Sequence, residues 1–181
     1  MQLHFDPAHI RCISLIGMAA AGKSTIGTAL ARDTGWAQVD TDRYLESWWG
    51  MDLQQLRDTL GLKKFLQAES EAVQSLSLDR CIISTGGSVI YREQAMAGLH
   101  ALGPVIHLHA EPATIRSRLT NAATRGLAIA DGQTIDDLYN ERLPLYLSHA
   151  DLTVSTDAMS AEECAKRIRE WLEDVAQTFF E

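Results

Sequence analysis

The sequence has little cysteine, no long apolar run and a shortage of basic residues. Its three cysteines, Cys12, Cys81 and Cys164, stand at no paired spacing, which argues against a disulfide framework. Cys12 and Cys81 fall inside apolar runs, where cysteine behaves as a small hydrophobe. No apolar run approaches the roughly 20 residues of a membrane-spanning helix, so no membrane partner is expected. The stretch from Met1 to Ile10 lacks a basic segment followed by an apolar one, and does not read as a secretory signal. Lys and Arg number 16 against 24 Asp and Glu, a formal net charge of −8. A surface of that sign repels nucleic-acid phosphates, so any phosphate must be received by a local cluster of positive charge. Internal repeats and low-complexity tracts are also missing. What remains is a soluble chain of a reducing compartment, expected to be the cytoplasm. Its 181 residues, 46% of them hydrophobic, suit one domain spanning 1–181.

Short apolar runs alternate with longer segments of helical period, the mark of a parallel sheet flanked by helices. Five strands are expected: Cys12 to Ile16, Ala37 to Val39, Cys81 to Ser84, Val105 to His109 and Leu152 to Val154. Helical spacing fits Lys23 to Arg32, Lys63 to Leu78, Arg92 to Leu102, Pro112 to Leu119, Ile135 to Leu147 and Ala161 to Phe179. Residues 121–134 stand apart. They hold Ala, Gly, Thr and Asp with one arginine, Arg125, and fit either a mobile surface loop or a plain connector.

After the first strand comes Gly17-Met18-Ala19-Ala20-Ala21-Gly22-Lys23-Ser24, followed by Thr25. This is the G-x-x-x-x-G-K-[ST] pattern, in which glycines let successive backbone N–H groups curl around phosphate oxygens. Lys23 adds a point charge at the β and γ phosphates, and the Ser24 hydroxyl is placed to ligate Mg²⁺. The helix that opens near Lys23 turns its positive end toward the same anion. ATP with Mg²⁺ is therefore the expected cofactor pair. The guanine-reading N-K-x-D segment is missing, and so is the acidic pair that ends a strand in motor and transporter ATPases. A small kinase remains.

Asp40 and Asp42 follow the second strand as Val39-Asp40-Thr41-Asp42. Alternate residues of an extended chain point one way, so both carboxylates can face the crevice at the strand ends. There Asp40 can hold Mg²⁺ through water and Asp42 can accept a proton from an acceptor hydroxyl. The competing reading is that one or both cap a helix starting near Arg43. His107 and His109 alternate along a strand with no third ligand at metal spacing, and read as ordinary strand histidines. Trp48 and Trp49 line an acceptor site or cover the core.

From about Arg11 to Thr156 the chain resembles the shikimate kinase family. The resemblance rests on Gly17 to Thr25, Asp40-Thr41-Asp42 with Glu46, Gly50, Phe65 with Glu69, Ser84-Thr85-Gly86-Gly87, the Arg125 region and Arg142-Leu143-Pro144-Leu145-Tyr146. It implies a P-loop α/β fold of three layers, a five-stranded parallel sheet in the order 2-3-1-4-5 flanked by helices, with an acceptor-binding region at 43–80 and a lid at 121–134. It also implies ATP-dependent phosphorylation of a hydroxyl on a small carboxylate-bearing metabolite. Under it, Lys23, Asp42 and Arg125 are catalytic, Arg125 arriving as the lid closes. Gly17, Ala19, Ala20, Ala21, Gly22, Lys23, Ser24, Thr25 and Arg118 bind the nucleotide, Arg118 by stacking on adenine. Asp42, Gly86, Gly87, Ser88 and Arg142 bind the acceptor, with Arg142 on its carboxylate, and Ser24 and Asp40 serve the metal.

Two positions depart from the family pattern. Leu66 stands where an arginine helps hold the substrate carboxylate, and Ser88 replaces a third glycine. Lys63 or Lys64 is a possible substitute cation. Both departures lie on the acceptor side, where one fewer cation suits a substrate less anionic than shikimate. Homoserine, which pairs a carboxylate with an ammonium, is the alternative acceptor. A nucleotide-binding regulator is a third reading, and a nucleoside monophosphate kinase lacks its D-G-[FY]-P-R-like segment. Oligomeric state is not readable, and a monomer is compatible with the sequence.

Overall fold

The computed structural model describes residues 3–119, 128 and 132–176. Five parallel strands form one sheet: β1 (Cys12–Ile16), β2 (Ala37–Asp40), β3 (Cys81–Ser84), β4 (Val105–His109) and β5 (Leu152–Ser155). Their order is β2-β3-β1-β4-β5, as the family resemblance implies. Around them lie α1 (Lys23–Thr34), α2 (Thr41–Trp49), α3 (Leu53–Gln74), α4 (Glu93–Leu102), α5 (Pro112–Arg118), α6 (Ile135–His149) and α7 (Ala161–Val175). A single 3₁₀ turn occupies Val89–Tyr91. No helix among the described residues is long and apolar enough to cross a membrane.

The period-two alternation of the strands divides the core into two layers. Cys12, Ile16, Cys81, Ile83 and Val105 face α4 and α6, meeting Met96, Leu99, Leu138 and Tyr146. Ile13, Leu15, Ile82, Ile106 and Leu108 face the other way, onto Ile26 and Leu30 of α1 and Ile168 and Leu172 of α7. A strand buried on both faces reads as a continuous apolar run, which is how β1 appears in the sequence. All three cysteines are buried and unpaired, and burial pushes the Cys12 thiol up to about 11.

Two helices differ from the main sequence reading, α2 having entered it only as the competing account of Asp40 and Asp42. The helix α2 starts after Asp40, whose side chain accepts from Asp42 N and Arg43 N. Its Trp48 and Trp49 stay 56% and 44% exposed, so they do not cover the core. The helix α3 begins ten residues before the expected Lys63 start, capped by Asp52 and bent at Gly61, whose φ of 71° interrupts the helix. A third, smaller apolar cluster joins these two helices through Leu45, Leu56, Phe65, Ala68 and Ala72, with Leu66 packed against it. The last helix was expected to reach Phe179 but ends at Val175, where Ala176 turns extended; residues 177–179 lie outside the described residues.

At the strand ends opposite the crevice, buried Asp151 ties β5 to β4 and to the amino-terminal segment. It accepts from Val105 N at 2.8 Å and from His4 N at 2.7 Å. Removing it leaves a buried N–H unpaired, which costs about 1–3 kcal/mol. Asp151→Ala is therefore expected to lower unfolding free energy by that amount in urea titration, while a surface change such as Asp58→Ala has little effect.

Candidate active site

Every catalytic candidate within the described residues gathers at the carboxyl ends of the strands, the crevice where open α/β sheets bind ligands. The loop after β1 supplies the anion cradle. Gly17 takes φ 145° and Gly22 φ 101°, and a Cβ on Gly17 would stand 2.5 Å from the Leu108 carbonyl oxygen. Gly22 caps α1 with no side-chain hydrogen bond, leaving the first N–H groups of that helix directed at the loop. Lys23 Nζ donates to the carbonyls of Gly17 and Met18, both at 2.8 Å, folding the loop into an arch. Burial lowers the Lys23 pKa to about 8, with the carboxylates of Asp42 and Asp40 opposing that fall.

The loop opens on a cleft of about 540 Å³ lined by Ala19 to Ile26, Asp40, Asp42, Thr85, Arg118, Thr156, Met159 and Ala161. Arg118 is held at its wall by Thr156, donating to the hydroxyl at 3.0 Å and to the carbonyl at 2.6 Å. A guanidinium fixed flat against that wall can stack on a planar base.

Asp40 takes the capping role that was its competing reading, and its second oxygen stays at the phosphate loop. One oxygen caps α2, while Oδ2 accepts the Ser24 hydroxyl at 2.7 Å. A hydroxyl and a carboxylate joined at the mouth of a phosphate cradle form an oxygen donor set that fits Mg²⁺. Asp42, one turn into the crevice, is half-buried. Burial first, and the charge of Asp40 second, raise its pKa to about 6.

The acceptor side centres on Gly86 and Gly87. Thr41 accepts the Gly86 N–H at 3.0 Å, and the Gly87 carbonyl accepts the Tyr146 hydroxyl at 2.6 Å. A Cβ on Gly86 would stand 2.5 Å from Glu69 Oε1 and 2.6 Å from Asp42 Oδ1, so these two carboxylates meet at that glycine. Ser88 donates its hydroxyl to Glu69 Oε2 at 2.5 Å. Burial, and then the charge of Asp42, push the Glu69 pKa up to about 8.

Arg142 is only 1% exposed. It donates to Tyr91 Oη at 3.1 Å and to the Ala128 carbonyl at 2.6 Å, and its guanidinium lies over the Tyr91 ring. Its hydrogen-bond partners among the described residues are neutral, which leaves a buried cation ready for an anion. Lys63 and Lys64 are both exposed on α3, and Leu66 sits in the apolar cluster. Arg125 lies outside the described residues, as does most of 121–134. His107 is buried and stacks on Tyr146, and burial drops its pKa to about 4, as an ordinary core histidine.

Tyr91 and Tyr146 were not assigned roles from the sequence, and the contact between Ser88 and Glu69 was not foreseen. Tyr146 had a usable signal, because it follows Arg142 by four residues and so shares its helix face. Tyr91 carried none, since its place depends on the 3₁₀ turn that brings it beneath the guanidinium.

A sequence profile of the family described as Shikimate kinase matches residues 19–173. A shikimate kinase of Vibrio vulnificus is 33% identical over 170 residues, covering 92% of this chain and 99% of its own. One from Thermodesulfovibrio yellowstonii is 31% identical over 159 residues, covering 86% and 91%. Among solved structures, the shikimate kinase from Acinetobacter baumannii in complex with shikimate superposes with a TM-score of 0.85 at 26% identity. That match covers 92% of this chain and 95% of that one.

Two measurements follow from this geometry. Ala20 holds φ 63°, a left-handed backbone that costs an L-residue about 1–2 kcal/mol. Allowing for the entropy of glycine, Ala20→Gly should raise stability by up to about 1 kcal/mol in urea unfolding. A carboxyl with a raised pKa holds its proton more tightly in the folded chain. Stability is therefore lost as pH climbs from about 4.5 toward about 8. The unliganded Glu69→Gln variant should accordingly gain in urea midpoint over the parent between pH 5 and pH 8.5; a gap that stays constant contradicts the assignment.

Proposed function

The chain belongs to the shikimate kinase family, and on that premise we propose that its crevice moves the γ-phosphoryl group of ATP to a hydroxyl of a small carboxylate-bearing metabolite. Shikimate, named for the relatives, is the acceptor they support, with shikimate 3-phosphate as product. The observation that carries the reading is the meeting of three groups in one crevice: the Lys23 arch, the Asp42 carboxylate and the buried Arg142 guanidinium.

The roles we assign follow from charge and reach. Backbone N–H groups from Ala19 to Thr25 hold the phosphates, and Arg118 lies against the base. Lys23 gives up its two carbonyl partners and turns to the transferring phosphoryl group, where its charge stabilises the transition state. Ser24 and Asp40 hold Mg²⁺, which neutralises oxygens of the donor when bound. Asp42 accepts the proton of the attacking hydroxyl, a task suited to a carboxylate whose proton affinity is raised. Arg142 takes the acceptor carboxylate in its planar fork. Gly86, Gly87 and Ser88 let the acceptor approach the backbone. The region 43–80 forms the acceptor side, and 121–134 closes as a lid that brings Arg125 to the phosphoryl oxygens. The cytoplasm, where ATP and reduced thiols coexist, is the compartment we assign.

ADP release in the presence of ATP, Mg²⁺ and shikimate tests this reading. Asp42→Asn and Lys23→Ala should each lower kcat by about 100-fold or more, as losses of a proton acceptor and of transition-state charge do. ATP binding should survive in Asp42→Asn, measured by calorimetry. Full activity in either variant would break the assigned roles.

A further inference from the structure

We infer that the acceptor pocket recognises an ammonium group, which gives the chain a further activity as a kinase of hydroxy-amino acids. This rests on the kinase reading and narrows the class of acceptor it takes.

The argument starts from an imbalance of charge at Gly86. Glu69 Oε1 and Asp42 Oδ1 both lie within 2.6 Å of the point where a Cβ on Gly86 would stand, so they are no more than about 5 Å apart. The hydrogen-bond partner of Glu69 is a hydroxyl, that of Ser88. The nearest cations are engaged elsewhere. Lys23 Nζ is held by the loop carbonyls of Gly17 and Met18, and Arg142 by Tyr91 and the Ala128 carbonyl. Among the described residues, two carboxyl groups thus converge with no cation between them, an arrangement that favours a bound proton on one of them until another positive group arrives.

Position 66 accounts for the imbalance. In a helix, residues three apart share a face, so an arginine at 66 would stand beside Glu69 and neutralise it. Leu66 instead joins the apolar cluster of Leu45, Leu56 and Phe65. Neither Lys63 nor Lys64 replaces that cation, because both are exposed on the outer face of α3.

The neighbouring glycine supplies the opposite charge. A Cβ on Gly87 would stand 3.1 Å from Arg142 Nη1. Consecutive Cα atoms are about 3.8 Å apart, so an anion site at Gly87 adjoins a cation site at Gly86. An α-amino acid carries its carboxylate and ammonium on one carbon and spans such a pair. Shikimate offers its carboxylate to Arg142 and a hydroxyl to Asp42, but no positive group for Glu69.

Three acceptors separate the ideas when ADP release is followed with ATP and Mg²⁺: L-homoserine, 4-hydroxybutyrate and shikimate. Homoserine and 4-hydroxybutyrate share chain length, hydroxyl and carboxylate, and differ only by the ammonium. The expected kcat/KM for homoserine is at least tenfold above that for 4-hydroxybutyrate, and Glu69→Gln should shrink that ratio at least tenfold. Leu66→Arg, which restores a cation beside Glu69, should move the homoserine-to-shikimate ratio at least tenfold toward shikimate, and tests the idea even if Glu69→Gln fails to fold. Shikimate turnover with none of homoserine would overturn the inference and leave the kinase reading intact. A homoserine-to-4-hydroxybutyrate ratio near one would overturn it too. Turnover of no acceptor would overturn both readings.

Discussion

Asp40 stands where the two halves of the crevice meet, and its carboxylate binds them together. Through one oxygen it holds the Ser24 hydroxyl of the phosphate loop, and through the other it caps α2, the helix that carries Asp42. The position of Asp42 relative to the donor phosphates is therefore fixed by two short hydrogen-bonded links rather than by a long path through the core. Glu69 shares that anchor, because α2 packs on α3 and α3 carries Glu69. Helix capping and metal coordination are often weighed as alternatives for such a residue. Here one carboxylate has enough lone pairs for both.

The donor half was legible in the sequence because its chemistry is local. Gly17 to Ser24 are contiguous, and the strand before them and the helix after them are both regular. Strand order followed from the resemblance, and all five strands were located to within a residue. The acceptor half was less legible because its groups come from α2, α3, the turn after β3 and α6. Asp42 and Glu69 are separated by 27 positions in the chain, yet they meet at Gly86. The family resemblance marked Leu66 as a missing charge. It did not show that Ser88, the other departure, donates to the carboxylate left without a partner. The short helix α2 entered the sequence reading only as the competing role for Asp40 and Asp42. Its length of nine residues, Thr41–Trp49, gives only two repeats of the apolar pair Tyr44-Leu45 and Trp48-Trp49, too few to separate a helix from a loop.

Arg142 illustrates how a buried cation is tolerated without a counter-ion. Its guanidinium rests on the Tyr91 ring, a neutral surface with a negative face, and its N–H groups find a hydroxyl and a carbonyl. These contacts satisfy hydrogen bonding while leaving the positive charge uncancelled. Opposite it, burial and the Asp42 charge raise the pKa of Glu69, so that carboxyl holds a proton that an arriving cation can displace. A pocket that holds both signs apart is already polarised, so an acceptor with matching charges binds without first rearranging it.

The apolar cluster under α2 and α3 has a consequence for how such a protein diversifies. Leu45, Leu56, Phe65, Ala68 and Ala72 form a small core distinct from the two layers that sandwich the sheet. Substitutions there reshape the acceptor pocket without disturbing β1 or the phosphate loop. Drift in specificity is thereby separated from conservation of the nucleotide machinery. A duplicated gene could acquire a new acceptor through a few changes in this cluster while its energy-supplying half stays under the old selection.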